Sequence, residues 1–185
     1  MSRRPSIRLI SGRHFFFDDP EGSIFDVYDI AHNIGKEPRY NGATVGDLPY
    51  TVAQHAINVS RIVHPEFAFE ALHHDNAEAF YKDVTTWLKG MIPDYKRELG
   101  RGELAVAHYF NLPEVQSPAV KVADLQLLKL EKEALFPHFE GVDEGFYHID
   151  GVDVDGLADM VDLTPWQPGE ARVRYLERHF ELGGK

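Results

Sequence analysis

The amino-acid sequence predicts an all-α fold, a helical bundle with a short β hairpin near its N-terminus, built as one domain. Apolar residues recur at three- and four-residue spacing through the middle of the chain, the period of a helix with one buried face. Prolines stand at the start of several of these runs, where the first helical turn tolerates them. With about 150 residues to a typical domain, 185 residues make one.

Taken in order, Ile7–Ile10 and His14–Phe17 read as a pair of short strands, and Asp26–Gly35 as a first helix. Val52, Ala53, Ala56, Val59, Ile62 and Val63 mark the next helix, with Thr51 at its N-cap. Pro65 opens another, whose stripe is Ala68, Ala71, Leu72 and Ala79. Pro93–Phe110 and Pro118–Phe136 follow, the second with Val120, Ala123, Leu127, Leu130 and Ala134 inward. Gly141–Gly156 breaks the pattern as an acidic loop, and Glu170–Leu182 restores it. The expected domain therefore spans 1–185, with a core over 26–139 and a C-terminal loop and helix over 140–185. Asp153-Val154-Asp155-Gly156 echoes a calcium loop, but the register puts Gly151 at the first ligand position and Asp162 at the twelfth, which argues against one.

Composition narrows the function. The absence of cysteine removes disulfides, thiolate metal sites and thiol nucleophiles, and points to a reducing compartment. A net charge of −11 opposes binding to duplex nucleic acid or an anionic membrane. No stretch has the 18 or so apolar residues of a membrane span, and the basic start, Met1–Arg13, runs too soon into acidic residues to be a signal peptide. The expected location is the cytoplasm.

Four polar residues interrupt the apolar stripes. His55 sits three residues after Val52 and four before Val59; Asp75 falls on the Ala68–Ala79 stripe with His74 beside it; Asp124 lies among Val120, Ala123 and Leu127. Buried without partners, such groups cost several kcal/mol. One divalent cation shared by all four would satisfy them. A core histidine bonded to a carboxylate, with Asp124 paired to Lys121, answers the same need and stays open on placement alone. On a helix turning about 100° per residue, Glu78 projects about 40° from His74, where a carboxylate could serve as general base. Asp83 reaches that face only if the chain bends after Tyr81; otherwise it caps a helix over Val84–Lys89.

His55, then His74-Asp75, then Asp124 within Lys121-Val122-Ala123-Asp124, resembles the HD-domain metal-dependent phosphohydrolases. Tyr50-Thr51-Val52-Ala53-Gln54-His55 and Ala71-Leu72-His73-His74-Asp75-Asn76-Ala77-Glu78-Ala79 carry the likeness further, so that it covers about Asp29–Phe136. Similarity is greatest to small phage and bacterial enzymes that hydrolyse deoxynucleotides, the phage dATP triphosphohydrolases first and the 5′-deoxynucleotidases more distantly. The resemblance implies an HD-domain bundle with His55, His74, Asp75 and Asp124 as metal ligands. It makes Glu78 the group that handles the attacking water, and Asp83 a second acidic group near the leaving group or an extra ion. Arg39 would face the substrate phosphate, Lys89 and Lys121 would hold a triphosphate, and Tyr40 would pack on the base. It further implies a homo-oligomer acting on a small deoxynucleotide.

Two imidazoles and two carboxylates leave about two open positions on a six-coordinate ion, which suits Mn²⁺, Co²⁺, Fe²⁺, Ni²⁺ or an expanded Zn²⁺ site, with Mg²⁺ a further candidate and room for a second ion. Two lysines beside Arg39 favour a dNTP, attacked at the α-phosphorus to release nucleoside and triphosphate, over a dNMP. The rival of another class is a non-catalytic helical module that binds a nucleotide or a protein through the same pocket.

Overall fold

The structure, a computed structural model, describes residues 4–136, 149 and 151–185. It is mostly helical, with one two-stranded antiparallel sheet. The hairpin pairs β1 (Ser6–Arg8) with β2 (His14–Phe16) in the register Ser6↔Phe16, Ile7↔Phe15 and Arg8↔His14. Pairing stops sooner than the sequence suggests because Leu9 N–H already closes the turn on the Arg13 carbonyl, with Gly12 at a positive φ of 86°. Phe15 is fully buried and stacks on Phe80, their ring centres 4.0 Å apart.

Helix α1 (Val27–Ile34) starts on a capping box, in which Asp26 accepts from the Asp29 N–H and the Asp29 carboxylate accepts from the Asp26 N–H. Asp29 also receives the N–H and hydroxyl of Ser11, which ties the hairpin turn to the helix. Arg39–Gly42 forms a 3₁₀ turn with Tyr40 and Asn41 both left-handed. Thr51 caps α2 (Val52–Ile62) through its hydroxyl, as the sequence suggests. Every residue from Val52 to Ser60 is buried, and Gln54, Asn58 and Ser60 find hydrogen-bond partners. Gln54 and Asn58 donate to the Asp162 carbonyl, and Gln54 also to that of Thr164.

One helix from Pro65 to Ala79 is not what forms. The segment divides into a 3₁₀ turn (Pro65–Phe67), α3 (Ala68–His73) and, after a break, α4 (Glu78–Tyr81). The N–H groups of Asn76, Glu78 and Ala79 bond three residues back rather than four, and the His74 ring takes the Ala71 carbonyl at 2.7 Å. Such local bonds compete with the helical ladder. The chain then turns at Lys82, φ 77°, so the bend that Asp83 requires is present. The alternative in which Asp83 caps a helix over Val84–Lys89 is overturned. Helix α5 runs Thr86–Met91, with Thr85 at its N-cap and no side-chain cap bond.

Helices α6 (Pro93–Phe110), α7 (Pro118–Leu135) and α8 (Pro168–Glu181) complete the bundle. Glu70 of α3 accepts both the N–H and the hydroxyl of Ser117, satisfying the start of α7 from a neighbouring helix. The inward stripe of α7 corrects one expectation, since Ala134 is exposed while Glu131 and Leu135 are buried. Helix α2 contributes Ala53 and Ile57 to a large core with Phe15, Ile30, Leu72, Phe80 and Tyr175, and Val59 to a smaller one with Val63, Ala71, Val120 and Leu127. The acidic loop expected over Gly141–Gly156 lies, for residues 141–148 and 150, outside the described residues, as does the 139/140 boundary. Among the described residues no helix is long and apolar enough to cross a membrane.

Candidate metal centre

Helix α2 presents His55, the break after α3 presents His74 and Asp75, and α7 presents Asp124. Their donor atoms converge. His55 Nε2 lies 3.2 Å from Asp124 Oδ1 and 3.6 Å from Asp75 Oδ2, and His74 Nε2 lies 3.2 Å from Asp75 Oδ2 and 3.9 Å from Asp124 Oδ1. Donors about 2.1 Å from a common ion stand about 3 Å apart when adjacent and about 4 Å apart when opposite, so these separations fit one ion. His55, His74 and Asp124 each offer an atom within 4.8 Å of the others, and Asp75 Oδ2 stands as close to both rings.

The hydrogen bonds behind the rings aim the lone pairs. His74 Nδ1 sits 2.7 Å from the Ala71 carbonyl, which can only accept, and His55 Nδ1 sits 2.7 Å from Glu131 Oε1. Each neutral ring therefore carries its proton on Nδ1 and leaves Nε2 bare. Both Nε2 atoms are buried with no hydrogen-bond partner, although carboxylate oxygens stand close by. Buried polar atoms are ordinarily satisfied, so two orphans facing two carboxylates mark a place for a cation.

Electrostatics follow from the crowding. Burial works against protonation of His74, but Asp75 outweighs it and pushes the ring up to about 9. Burial alone would raise Asp124, yet His55 and His74 hold it down to about 2, and Asp75 is held further below the usual carboxylate range. Glu78 goes the other way. Burial, then repulsion from Asp75 and Asp83, raises it well above the ordinary glutamate value, with Lys89 pulling in the opposite sense.

The centre opens on a cavity of about 730 Å³ whose wall includes Asp75, Asp124, Glu78, Asp83, Lys89 and Lys121. Glu78 and Asp83 thus both reach the site, Glu78 from the short α4 and Asp83 through the bend at Lys82. Lys89 Nζ donates to Glu78 Oε1 at 3.2 Å, and Lys121 is exposed. Arg39 is buried, its Nη1 3.5 Å from Asp75 and its Nε 3.3 Å from Glu131. The Tyr40 hydroxyl donates to Glu131 at 2.5 Å, while its ring meets Phe136 edge-on and lies beneath the Arg39 guanidinium.

Sequence reasoning missed Glu131 and Glu103. Glu131 is fully buried seven residues after Asp124, about 20° away around α7. That spacing, together with its flanking Leu130 and Leu135, was the available signal. Glu103 lines the cavity from an exposed position on α6 next to the buried Gly102; partial burial and Asp75 hold its carboxyl above the usual range. Behind the centre, His73 packs into a polar cluster. Asn76 Nδ2 donates to its Nδ1 at 2.7 Å, the Tyr175 hydroxyl lies 2.8 Å from that nitrogen and from Asn76 Oδ1, and His179 Nδ1 is 3.0 Å from its Nε2.

Fold and site together define a helical protein with a two-histidine, two-carboxylate centre open to an acidic cavity. No protein-family model matches the chain. It is 35% identical over 178 residues to YfdR of Escherichia coli (strain K12), covering 95% of this chain and 94% of that protein. It is 34% identical over 188 residues to RCAP_rcc00048 of Rhodobacter capsulatus, again covering 95% and 94%. The chain belongs to the family of these two proteins, both of which carry only the description "uncharacterized protein".

Proposed function

We propose that the protein is a metal-dependent phosphohydrolase of the HD-domain type that acts on deoxynucleotides. The observation that supports it is the pair of buried, unpartnered Nε2 atoms facing Asp75 and Asp124 at a cavity large enough for a small molecule. His55, His74, Asp75 and Asp124 would hold a divalent cation, Mn²⁺, Co²⁺, Fe²⁺, Ni²⁺, Zn²⁺ or Mg²⁺, and an ion there supplies Lewis acidity to a water and a phosphoryl oxygen. The residues of the chain do the rest. Glu78, anchored through Oε1 by Lys89, has Oε2 unpartnered to accept a proton from the attacking water. Arg39 sets a positive charge where negative charge gathers on phosphate, and Asp83 adjoins the same cavity to protonate or orient a leaving group.

The resemblance points first to a dATP-preferring triphosphohydrolase. A 5′-deoxynucleotidase is the second reading, and one observation favours it. The cavity wall carries seven carboxylates against Arg39, Lys89 and Lys121, and both Arg39 and Lys89 already face carboxylates. That leaves little positive charge for three phosphates. Incubation with dATP and with dAMP, in Mn²⁺ or Co²⁺, separates the readings. Tripolyphosphate from dATP supports the first, orthophosphate from dAMP the second, and neither product with any of these cations overturns the phosphohydrolase.

A further inference from the structure

Glu131 carries an inference that rests on the metal reading and goes beyond the ligand set. Its side chain is fully buried on α7, and two hydrogen-bonding groups and a guanidinium from two other segments converge on it. His55 Nδ1 stands 2.7 Å from Oε1, the Tyr40 hydroxyl 2.5 Å from Oε2 and Arg39 Nε 3.3 Å from Oε2. To bring Arg39 and Tyr40 there, the backbone takes two successive left-handed residues, Tyr40 at φ 57° and Asn41 at φ 54°. Non-glycine residues adopt that conformation at a cost, so the contacts hold it in place. An acceptor on Nδ1 keeps the imidazole proton on that side and directs the Nε2 lone pair at Asp124 and Asp75. A carboxylate, unlike a neutral amide, also makes the ring a stronger donor to a cation.

We infer that Glu131 is a positioning residue: its single buried charge fixes His55 as an Nε2 ligand and, through the same carboxylate, seats Arg39 and Tyr40 at the site. The loss of that charge loosens the ion before it touches the fold. The test uses the full chain with Glu131→Gln, which keeps the shape, and Glu131→Ala, which does not. Cobalt titration followed by its d–d absorption reads affinity and ligand field. Two-dimensional ¹H–¹⁵N NMR of the histidine rings, at a pH where they are neutral, reads the tautomer without any metal. Asp29→Asn serves as a control that perturbs a buried carboxylate remote from the centre.

The expected result is cobalt affinity weakened by about 10–100-fold in Glu131→Gln with an altered d–d spectrum, and more in Glu131→Ala. His55 should be Nδ1-protonated in the wild type and shift toward Nε2 protonation in Glu131→Ala, while Asp29→Asn lowers thermal stability with cobalt affinity unchanged. Wild-type cobalt affinity and spectrum in Glu131→Gln overturn the inference, as does a His55 tautomer unmoved in Glu131→Ala. A wild-type protein that binds no cobalt overturns the metal reading itself, and this inference with it.

Discussion

Lys89 Nζ holds one oxygen of the Glu78 carboxylate at 3.2 Å, while the other, Oε2, is buried with no hydrogen-bond partner. The ammonium fixes the carboxylate's orientation and opposes the rise in its pKa that burial, Asp75 and Asp83 impose. The pair thus separates two properties of a proton acceptor, its aim and its basicity.

Replacing Glu78 by Gln should lower kcat by about 10²–10⁴-fold, the usual contribution of a general base, and leave cobalt affinity within a few-fold of wild type. Steady-state kinetics alongside metal titration checks both halves. An unchanged kcat would remove Glu78 from the chemistry.

Lys89→Ala should shift the acid limb of the pH–rate profile upward. Lys89 lowers the Glu78 pKa, so its loss raises that pKa, and the ionised form that can accept a proton then appears only at higher pH. A limb that stays in place while kcat falls would instead assign Lys89 to substrate binding.

Metal uptake should strengthen with pH up to about 9. His74 is pushed up to about 9 because Asp75 outweighs its burial, and a ligand must give up that proton to bind an ion. Below this value each pH unit weakens affinity by up to about tenfold from His74 alone. Calorimetry in buffers of different ionisation enthalpy should record proton release at pH 7.

The polar cluster behind the centre should make the fold acid-sensitive. Burial, with His179 and His74 adding to it, holds His73 well below the usual histidine value. Between that value and about 6.5 the unfolded chain binds a proton that the folded chain refuses, so stability falls on acidification by up to about 1.4 kcal/mol per pH unit. Thermal melts from pH 7.5 to 5 should show this loss, and His73→Asn should flatten it. An equally steep fall in the variant would place the effect elsewhere.

Two glycines of α6 should respond oppositely to alanine. A Cβ on Gly102 would fall 2.2 Å from the Tyr81 ring, which is itself buried, so Gly102→Ala should destabilise by about 1–3 kcal/mol. Gly100 has nothing within 4 Å of the same position, and Gly100→Ala should stabilise by about 0.5–1 kcal/mol through helix propensity. Urea denaturation of the two variants reads both signs.

Much of this arrangement is legible in the sequence, because periodicity reports burial. His55, Asp75 and Asp124 interrupt apolar stripes, and these residues are the ones that meet. The capped start of α2 and the proline starts of α6 and α7 follow from local chemistry. The break between His73 and Glu78 is not visible in a pattern of apolar spacing, since it arises from side-chain and three-back bonds that compete with the helix. Glu131 went unread for a related reason. A charged residue is taken as solvated until the polar and charged groups from elsewhere in the chain that surround it are known.

Helix α2, enclosed from Val52 to Ser60, has no side facing water on which a neutral substitution could land. One flank carries His55, another is bonded through Gln54 and Asn58 to the segment leading into α8, and the rest belongs to both cores. Saturation mutagenesis should therefore find these nine positions the most intolerant run in the chain, with losses of function there that do not distinguish chemistry from architecture.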